Sequence, residues 1–364
     1  MENFKKEKGV QLLRAIEQVC SKDIKLMEVC GTHTVSIFRH GLRSVIPENI
    51  HMLSGPGCPV CVTDQGDIDA ALEVASRENT IIATYGDMLR VPGSETSLAT
   101  MKARGSDIRI ITSAHQCIDI AGKNPDREIV FFAVGFETTA PATAALMIDA
   151  HERKISNLSA MALHKRTPPV LEALATDPDL EIDGFILPGH VSVILGHEPY
   201  SFLAERYKLP SCITGFEAED ILMGIYSLTR QIQRGKPKLS SVYPRAVRKE
   251  GNIKAKKLME TAFEVCDAKW RGLGIIPNSG LKLKELFSDL DSYRKFDIRT
   301  PDVKPPAGCR CGEVLSGKLI PPECPLFAKK CTPASPVGPC MVSSEGSCSA
   351  YFKYSGGGTG HWKI

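Results

Sequence analysis

The sequence predicts an α/β protein of two or three domains, on three observations. Short runs rich in Ile, Val and Phe end in Gly or a polar residue and are followed by longer amphipathic segments. A chain of 364 residues is longer than one ordinary core organises. From Pro301 onward the composition turns to Pro, Gly and Cys, including Lys304-Pro305-Pro306 and Leu319-Ile320-Pro321-Pro322. Such a stretch needs something other than an apolar core to hold it.

Residues 3–20 place Phe4, Val10, Leu12, Leu13, Ile16, Val19 and Cys20 at helical spacing. They predict an amphipathic helix within 1–21, expected to pack on the C-terminal part. The strand-like runs then follow in order. They are Ile50-His51-Met52-Leu53, Thr80-Ile81-Ile82-Ala83-Thr84, Ile108-Arg109-Ile110-Ile111, Ile129-Val130-Phe131-Phe132-Ala133-Val134, Gly184-Phe185-Ile186-Leu187 and Ser211-Cys212-Ile213-Thr214. Near-continuous apolar runs of this length fit buried parallel strands. Gly135-Phe136-Glu137 and Gly215-Phe216-Glu217 form a weak echo, as two similar α/β units would. Residues 235–246 (GKPKLSSVYPRA) read as a boundary, and 252–266 as helical.

Charge excludes some functions. Lys plus Arg is 45 and Asp plus Glu is 42, so the net charge of +3 gives no reason to expect a nucleic acid or an anionic membrane as partner. No run of 18 apolar residues is present to span a bilayer. The N-terminus lacks the apolar stretch and small-residue cleavage site of a signal peptide, so the expected location is the cytoplasm, where thiols stay reduced. The 13 cysteines are therefore read as metal-binding or redox groups rather than as a disulfide scaffold. Cys20, Cys117, Cys212 and Cys266 are scattered and read as small buried hydrophobes.

Cys309, Cys311, Cys324, Cys331, Cys340 and Cys348 fall within 40 residues, with no histidine among them. Zinc sites usually use tight Cys-x2–4-Cys pairs, whereas here the nearest pair is Cys309-Arg310-Cys311 and the other gaps are wide. An iron–sulfur core lets separated loops converge. Spacing favours iron–sulfur and leaves zinc, disulfides and free thiols open. A four-iron cluster needs four thiolates. One set is Cys309, Cys324, Cys331 and Cys348, which leaves Cys311 and Cys340 as a pair able to form a disulfide, or as packing thiols.

Cys58 and Cys61 form a Cys-x-x-Cys after Gly55-Pro56-Gly57, where a strand ends and a helix follows, a setting that suits thiol–disulfide exchange. The alternative is half of a zinc site, but no second Cys-x-x-Cys or nearby His pair accompanies it. Cys30, in Val29-Cys30-Gly31-Thr32-His33-Thr34, sits where a strand gives way to a helix, the end at which open α/β sheets bind ligands. His33 could hold a proton there or simply cap the helix. Asp87, Glu137 with Thr138 and Thr139, and His190 follow strands in the same way. A sheet edge that collects such groups looks like a site, although singly each could be a cap.

Cys30-Gly31-Thr32-His33-Thr34, Gly55-Pro56-Gly57-Cys58-Pro59-Val60-Cys61, Gly135-Phe136-Glu137-Thr138-Thr139, Pro188-Gly189-His190-Val191-Ser192 and the six-cysteine tail together resemble the HypD family of hydrogenase maturation factors, in order over nearly the whole chain. The resemblance implies two related parallel-sheet α/β domains, at 22–122 and 123–235, plus a loop-rich [4Fe–4S] domain at 236–364. It implies a role in assembling the Fe(CN)2CO unit of [NiFe] hydrogenases. Cys309, Cys324, Cys331 and Cys348 would ligate the cluster, and Cys311 and Cys340 would form a redox pair beside it. It implies HypC as partner, supplying a cysteine to the iron, and HypE as donor of cyanide made from carbamoyl phosphate. Soft thiolate suits low-spin iron, so Cys30 is expected to hold the transient Fe(CN)2CO unit. Cys58 and Cys61 are expected to be the exchanging dithiol, and His33 and Glu137 to orient or protonate the leaving group. The competing readings are an iron–sulfur thiol–disulfide reductase that carries no iron unit and a zinc-tailed scaffold.

Overall fold

The computed structural model describes residues 2–354. Their eleven strands are β1 (Ile24–Glu28), β2 (Ile50–Ser54), β3 (Thr80–Thr84), β4 (Ile108–Ile110), β5 (Glu128–Gly135), β6 (Leu158–His164), β7 (Gly184–Pro188), β8 (Ser211–Thr214), β9 (Leu239–Ser241), β10 (Phe263–Trp270) and β11 (Gly274–Leu283). The first sheet has the order β2-β1-β7-β8-β9 and the second β4-β3-β5-β6. Every pair in both is parallel, and β10–β11 is an antiparallel hairpin. The α/β class is thus as the apolar runs predict, because parallel strands are covered by helices on both faces and read as continuous apolar segments.

The sheets do not divide at residue 122/123. Strands β1 and β2 pair with β7–β9 from far along the chain, while β3–β6, which lie between them in sequence, make the second sheet. Local pattern specifies that a strand is buried but not which strand it pairs with. Each sheet runs outward from its first strand in one direction and then the other, so β2-β1-β7-β8 and β4-β3-β5-β6 share one strand order. The Gly-Phe-Glu tripeptides follow β5 and β8, which hold different places in that order, so they are no mark of duplication.

Three further elements differ from expectation. The helix Glu2–Val19 packs on the helix Ala218–Arg234 of the first sheet, not on the C-terminal part: Ile16 is fully buried with Ile24, Ile221 and Ile225, and Ser21 Oγ donates to Gln233 Oε1 at 2.9 Å. The helix after residue 252 stops at Ala262, and the chain turns into β10, whose exposed Glu264 and buried Trp270 alternate too loosely to announce a strand. This helix and hairpin cover the second sheet, with Ala262, Phe263 and Leu283 in the same core as Ile129, Phe131 and Ala160. The 235–246 segment is no boundary, because β9 forms the edge of the first sheet there. The expected 236–364 domain therefore contracts to the cysteine-rich tail. Cys117 and Cys212 are fully buried as expected, whereas Cys20 and Cys266 are half-buried. Among the described residues no helix is long and apolar enough to cross a membrane.

Candidate functional site

The carboxyl ends of both sheets converge. A pocket is lined by Cys30 and Thr32 after β1, Gly57 and Pro59 after β2, Phe136, Thr138 and Thr139 after β5, and His190 after β7. Strand β1 is where the first sheet changes direction, the place at which such sheets leave a crevice. Cys30 stands in extended conformation immediately before the helix Gly31–Arg39. Gly57 lies so close that a Cβ there would overlap the Cys30 backbone, and the Gly57 carbonyl accepts from Gly31 N at 3.1 Å. Only glycine lets the two turns meet.

The Cys30 thiol is pushed up to about 12, first by burial and next by the Glu345 and Glu28 carboxyls, while the backbone N–H groups of His33 and Thr32 pull the other way. Without a cation it stays protonated. A soft metal ion would displace that proton, and the His33 and Thr32 N–H groups would donate to the thiolate that forms. Glu345 comes from the tail. Its Oε1 accepts from Thr32 Oγ1 at 2.6 Å, and its backbone closes on Gly31 so tightly that a Cβ would stand 2.6 Å from the Glu345 carbonyl. Sequence reading passed over Glu345. The signal was the small polar loop Ser343-Ser344-Glu345-Gly346 set between two cysteines.

His33 and Glu137 do not line this pocket. His33 is fully buried, with its Nε2–H donating to the Gly215 carbonyl at 2.9 Å and 2.8 Å from Thr214 Oγ1. Burial lowers its pKa to about 4, so it is neutral near pH 7. Its ring stacks on Phe216, whose ring also meets His190 at 3.9 Å. Glu137 accepts from Thr167 N at 2.7 Å and Thr167 Oγ1 at 2.8 Å, which caps the helix Thr167–Thr176. The expected roles at a leaving group therefore lack geometry, and the residues that reach the pocket are His190 and Glu345.

Cys58 and Cys61 flank the first turn after β2. Cys58 Sγ accepts from Cys61 N at 3.3 Å and donates to Ser343 Oγ at 3.3 Å. Asp87, following β3, accepts from Ser343 Oγ at 3.1 Å and Ser344 N at 3.3 Å. The Cys61 thiol lies against those of Cys58 and Cys340, and burial raises its pKa. Cys340 in turn meets Cys311 and Cys348, and these three thiol partners stabilise its thiolate. The six tail cysteines line one small cavity with Val314, Leu326, Phe327 and Met341. Within it Cys331 faces Cys309 and Cys324, and Cys348 faces Cys331 and Cys309. Cys340 lies against Cys61, and Cys311 against Cys309 and Cys340.

Among the described residues no group of three or more His, Cys, Asp or Glu is gathered to hold a single metal ion. The thiols gathered round this apolar cavity are donors of the kind that an iron–sulfur cluster takes. The hairpin turn ties the two thiol groups together. Buried Arg271 donates through Nε to the Thr63 carbonyl and through Nη1 to Gln65 Oε1, both at 2.8 Å, and its charge favours the Cys309 thiolate. A single arginine in a hairpin left no signal in the sequence.

Comparison with known proteins places these features in company. The family model described as "HypD: Hydrogenase formation hypA family" matches residues 7–355. The hydrogenase maturation factor HypD2 of Bradyrhizobium diazoefficiens is 44% identical over 359 residues, covering 96% of this chain and 94% of that protein. The hydrogenase maturation factors HypD of Cupriavidus necator and Azotobacter vinelandii are 42% identical over 336 residues and 41% over 347. They cover 90% and 93% of this chain and 89% and 92% of their own.

Proposed function

Because this chain belongs to the HypD family of hydrogenase formation proteins, we propose that it serves hydrogenase maturation as the scaffold and redox protein on which the Fe(CN)2CO unit is assembled. The observation that carries the redox part is the contact of Cys61 with Cys340, which joins the Cys-x-x-Cys to the six-cysteine cavity.

The iron unit is the cargo. Cys30 is its ligand from this chain, and the second thiolate comes from HypC docking over the open pocket. HypE supplies cyanide to the same opening. His190 and Glu345, rather than His33 and Glu137, face the bound unit and handle its protons. Cys309, Cys324, Cys331 and Cys348 would hold a [4Fe–4S] cluster, which would supply electron-transfer chemistry beside the neighbouring thiols. Cys340 thiolate attacks Sγ of Cys61 in a Cys58–Cys61 disulfide, that bond breaks, and Cys58 leaves as thiolate with the electron pair. Cys311 thiolate then attacks Cys340, forming the Cys311–Cys340 disulfide and freeing Cys61. Two electrons thus pass from one pair to the other.

The test is an infrared spectrum of the protein isolated anaerobically with HypC from hydrogenase-producing cells. Cyanide and carbon monoxide bands lost in Cys30→Ala, with the cluster's visible absorption retained, are expected. An empty window in the parent protein, cluster intact, overturns the scaffold reading and leaves a thiol–disulfide reductase that carries no iron unit.

A further inference from the structure

We infer that Ser343 and Asp87 form a proton relay for Cys58, with Ser343 as the bridge and Asp87 as the group that stores the proton. The inference rests on the reading of Cys58 and Cys61 as the exchanging dithiol and goes beyond it by giving the two sulfurs different tasks.

The hydrogen bonds fix the direction. Ser343 Oγ receives Cys58 S–H at 3.3 Å and Glu345 N–H at 3.2 Å, which uses both of its acceptor positions. Its own proton is left to point at Asp87 Oδ2, 3.1 Å away. Asp87 Oδ2 also accepts from Ser344 N and Ser344 Oγ, each at 3.3 Å, an arrangement that suits a carboxylate. At the other end, Cys61 N–H donates to Cys58 Sγ at 3.3 Å and steadies the thiolate that remains when the proton departs. Cys58 and Ser343 are buried, while Asp87 is half-buried and can exchange its proton with water. Cys61 has no such outlet, since its neighbours are the thiols of Cys58 and Cys340.

The step balances within the chain. Cys58 gives its proton to Ser343 Oγ as Ser343 gives its own to Asp87. Cys58 thiolate then attacks Sγ of Cys61 in a Cys61–Cys340 mixed disulfide, the Cys58–Cys61 bond forms, and Cys340 leaves with the electron pair. In reverse, Cys58 leaves as thiolate and recovers its proton along the same path. The titratable groups facing the relay are Cys61, with Cys340 beyond it, and Glu345 in the loop that carries Ser343. The Glu345 side chain turns away to Thr32.

The experiment uses the full chain, reduced and anaerobic, pulsed with iodoacetamide across pH 6–10, with labelling at each cysteine read by peptide mass spectrometry. Asp87→Asn and Ser343→Ala are expected to slow labelling of Cys58 near pH 7 by about tenfold and to move its pH profile upward. Ser343→Thr keeps the hydroxyl and restores the profile, and half-buried Cys266, on the hairpin, reports that the fold is unchanged. Ser343→Ala leaves the Ser344 contacts to Asp87 in place, so it tests the bridge even if Asp87→Asn folds poorly. A Cys58 profile unmoved in Ser343→Ala, in a parent protein that forms the Cys58–Cys61 disulfide on oxidation, overturns the relay alone. A parent protein that never forms that disulfide overturns the dithiol reading and the relay with it.

Discussion

The thiols of Cys61 and Cys340, from opposite halves of the chain, meet in the protein interior. This is the single bridge between the strand-end dithiol and the tail thiols that the proposed exchange uses. Cys340→Ser keeps the shape and removes the nucleophile. We expect reduction of a Cys58–Cys61 disulfide by dithionite-reduced protein to slow at least roughly tenfold, measured by thiol trapping, with cluster absorption unchanged. An unchanged rate would mean that reductant reaches Cys61 by another route.

Glu137 is a capping residue on this geometry. In Glu137→Ala the Thr167 amide and hydroxyl lose a buried partner, which costs about 1–3 kcal/mol and lowers Tm. Below the new Tm, the iron unit carried per folded molecule is expected to equal that of the parent. Loss of infrared bands from protein that melts normally would restore Glu137 to the chemistry.

Gly57→Ala tests the close approach that positions Cys30. The added methyl has no room beside the Cys30 backbone, so one of the two turns must shift. We expect a loss of about 1–3 kcal/mol by thermal or denaturant melting, together with weakened or displaced iron-unit bands. Parent-like stability and spectrum would show that the turns have slack.

His164 gives a pH dependence of known sign. Burial lowers its pKa from 6.5 to about 3, so as pH falls below about 6.5 the unfolded chain takes up a proton that the folded protein refuses. Its contribution to stability is complete above the unfolded value and is lost as pH falls toward 3, amounting to about 2 kcal/mol by pH 5. His164→Gln, which offers Thr143 an amide in place of the ring nitrogen, is expected to reduce the fall in Tm between pH 7 and 5, leaving the share that buried His33 contributes with the same sign. A parent slope unchanged in the variant would place the acid sensitivity elsewhere.

The strands that could be read from sequence are those buried on both faces. Ile81, Ile82, Phe131, Phe132, Phe185 and Ile186 are all fully or almost fully enclosed, and their runs are correspondingly continuous. Strand β6 escaped notice because Ser159 and His164 interrupt its apolar run, though both are buried. The hairpin escaped because one of its faces is wet, with Ile275 exposed and Ile276 buried. Pairing of β1 with β7 was beyond a single sequence, since nothing local encodes it. At the site, the cysteines, Asp87 and His190 were legible because strand ends and thiol clusters are local signals. Ser343, Glu345 and Arg271 were not, because each matters only through what the fold brings to it.

The interleaving of the two sheets sets a timetable for synthesis. Strand β1 has β2 beside it almost at once, but its other neighbour, β7, emerges only after the entire second sheet has been made. At about 5–20 residues per second, that wait is on the order of ten seconds, during which one long edge of β1 is bare. The second sheet, by contrast, is continuous from β3 to β6, so its strands can pair as soon as they emerge. Its covering helix and hairpin, residues 253–283, follow only after β7–β9, so both sheets wait on later chain to close their cores, and Cys30 is enclosed only when the loop carrying Glu345 has left the ribosome.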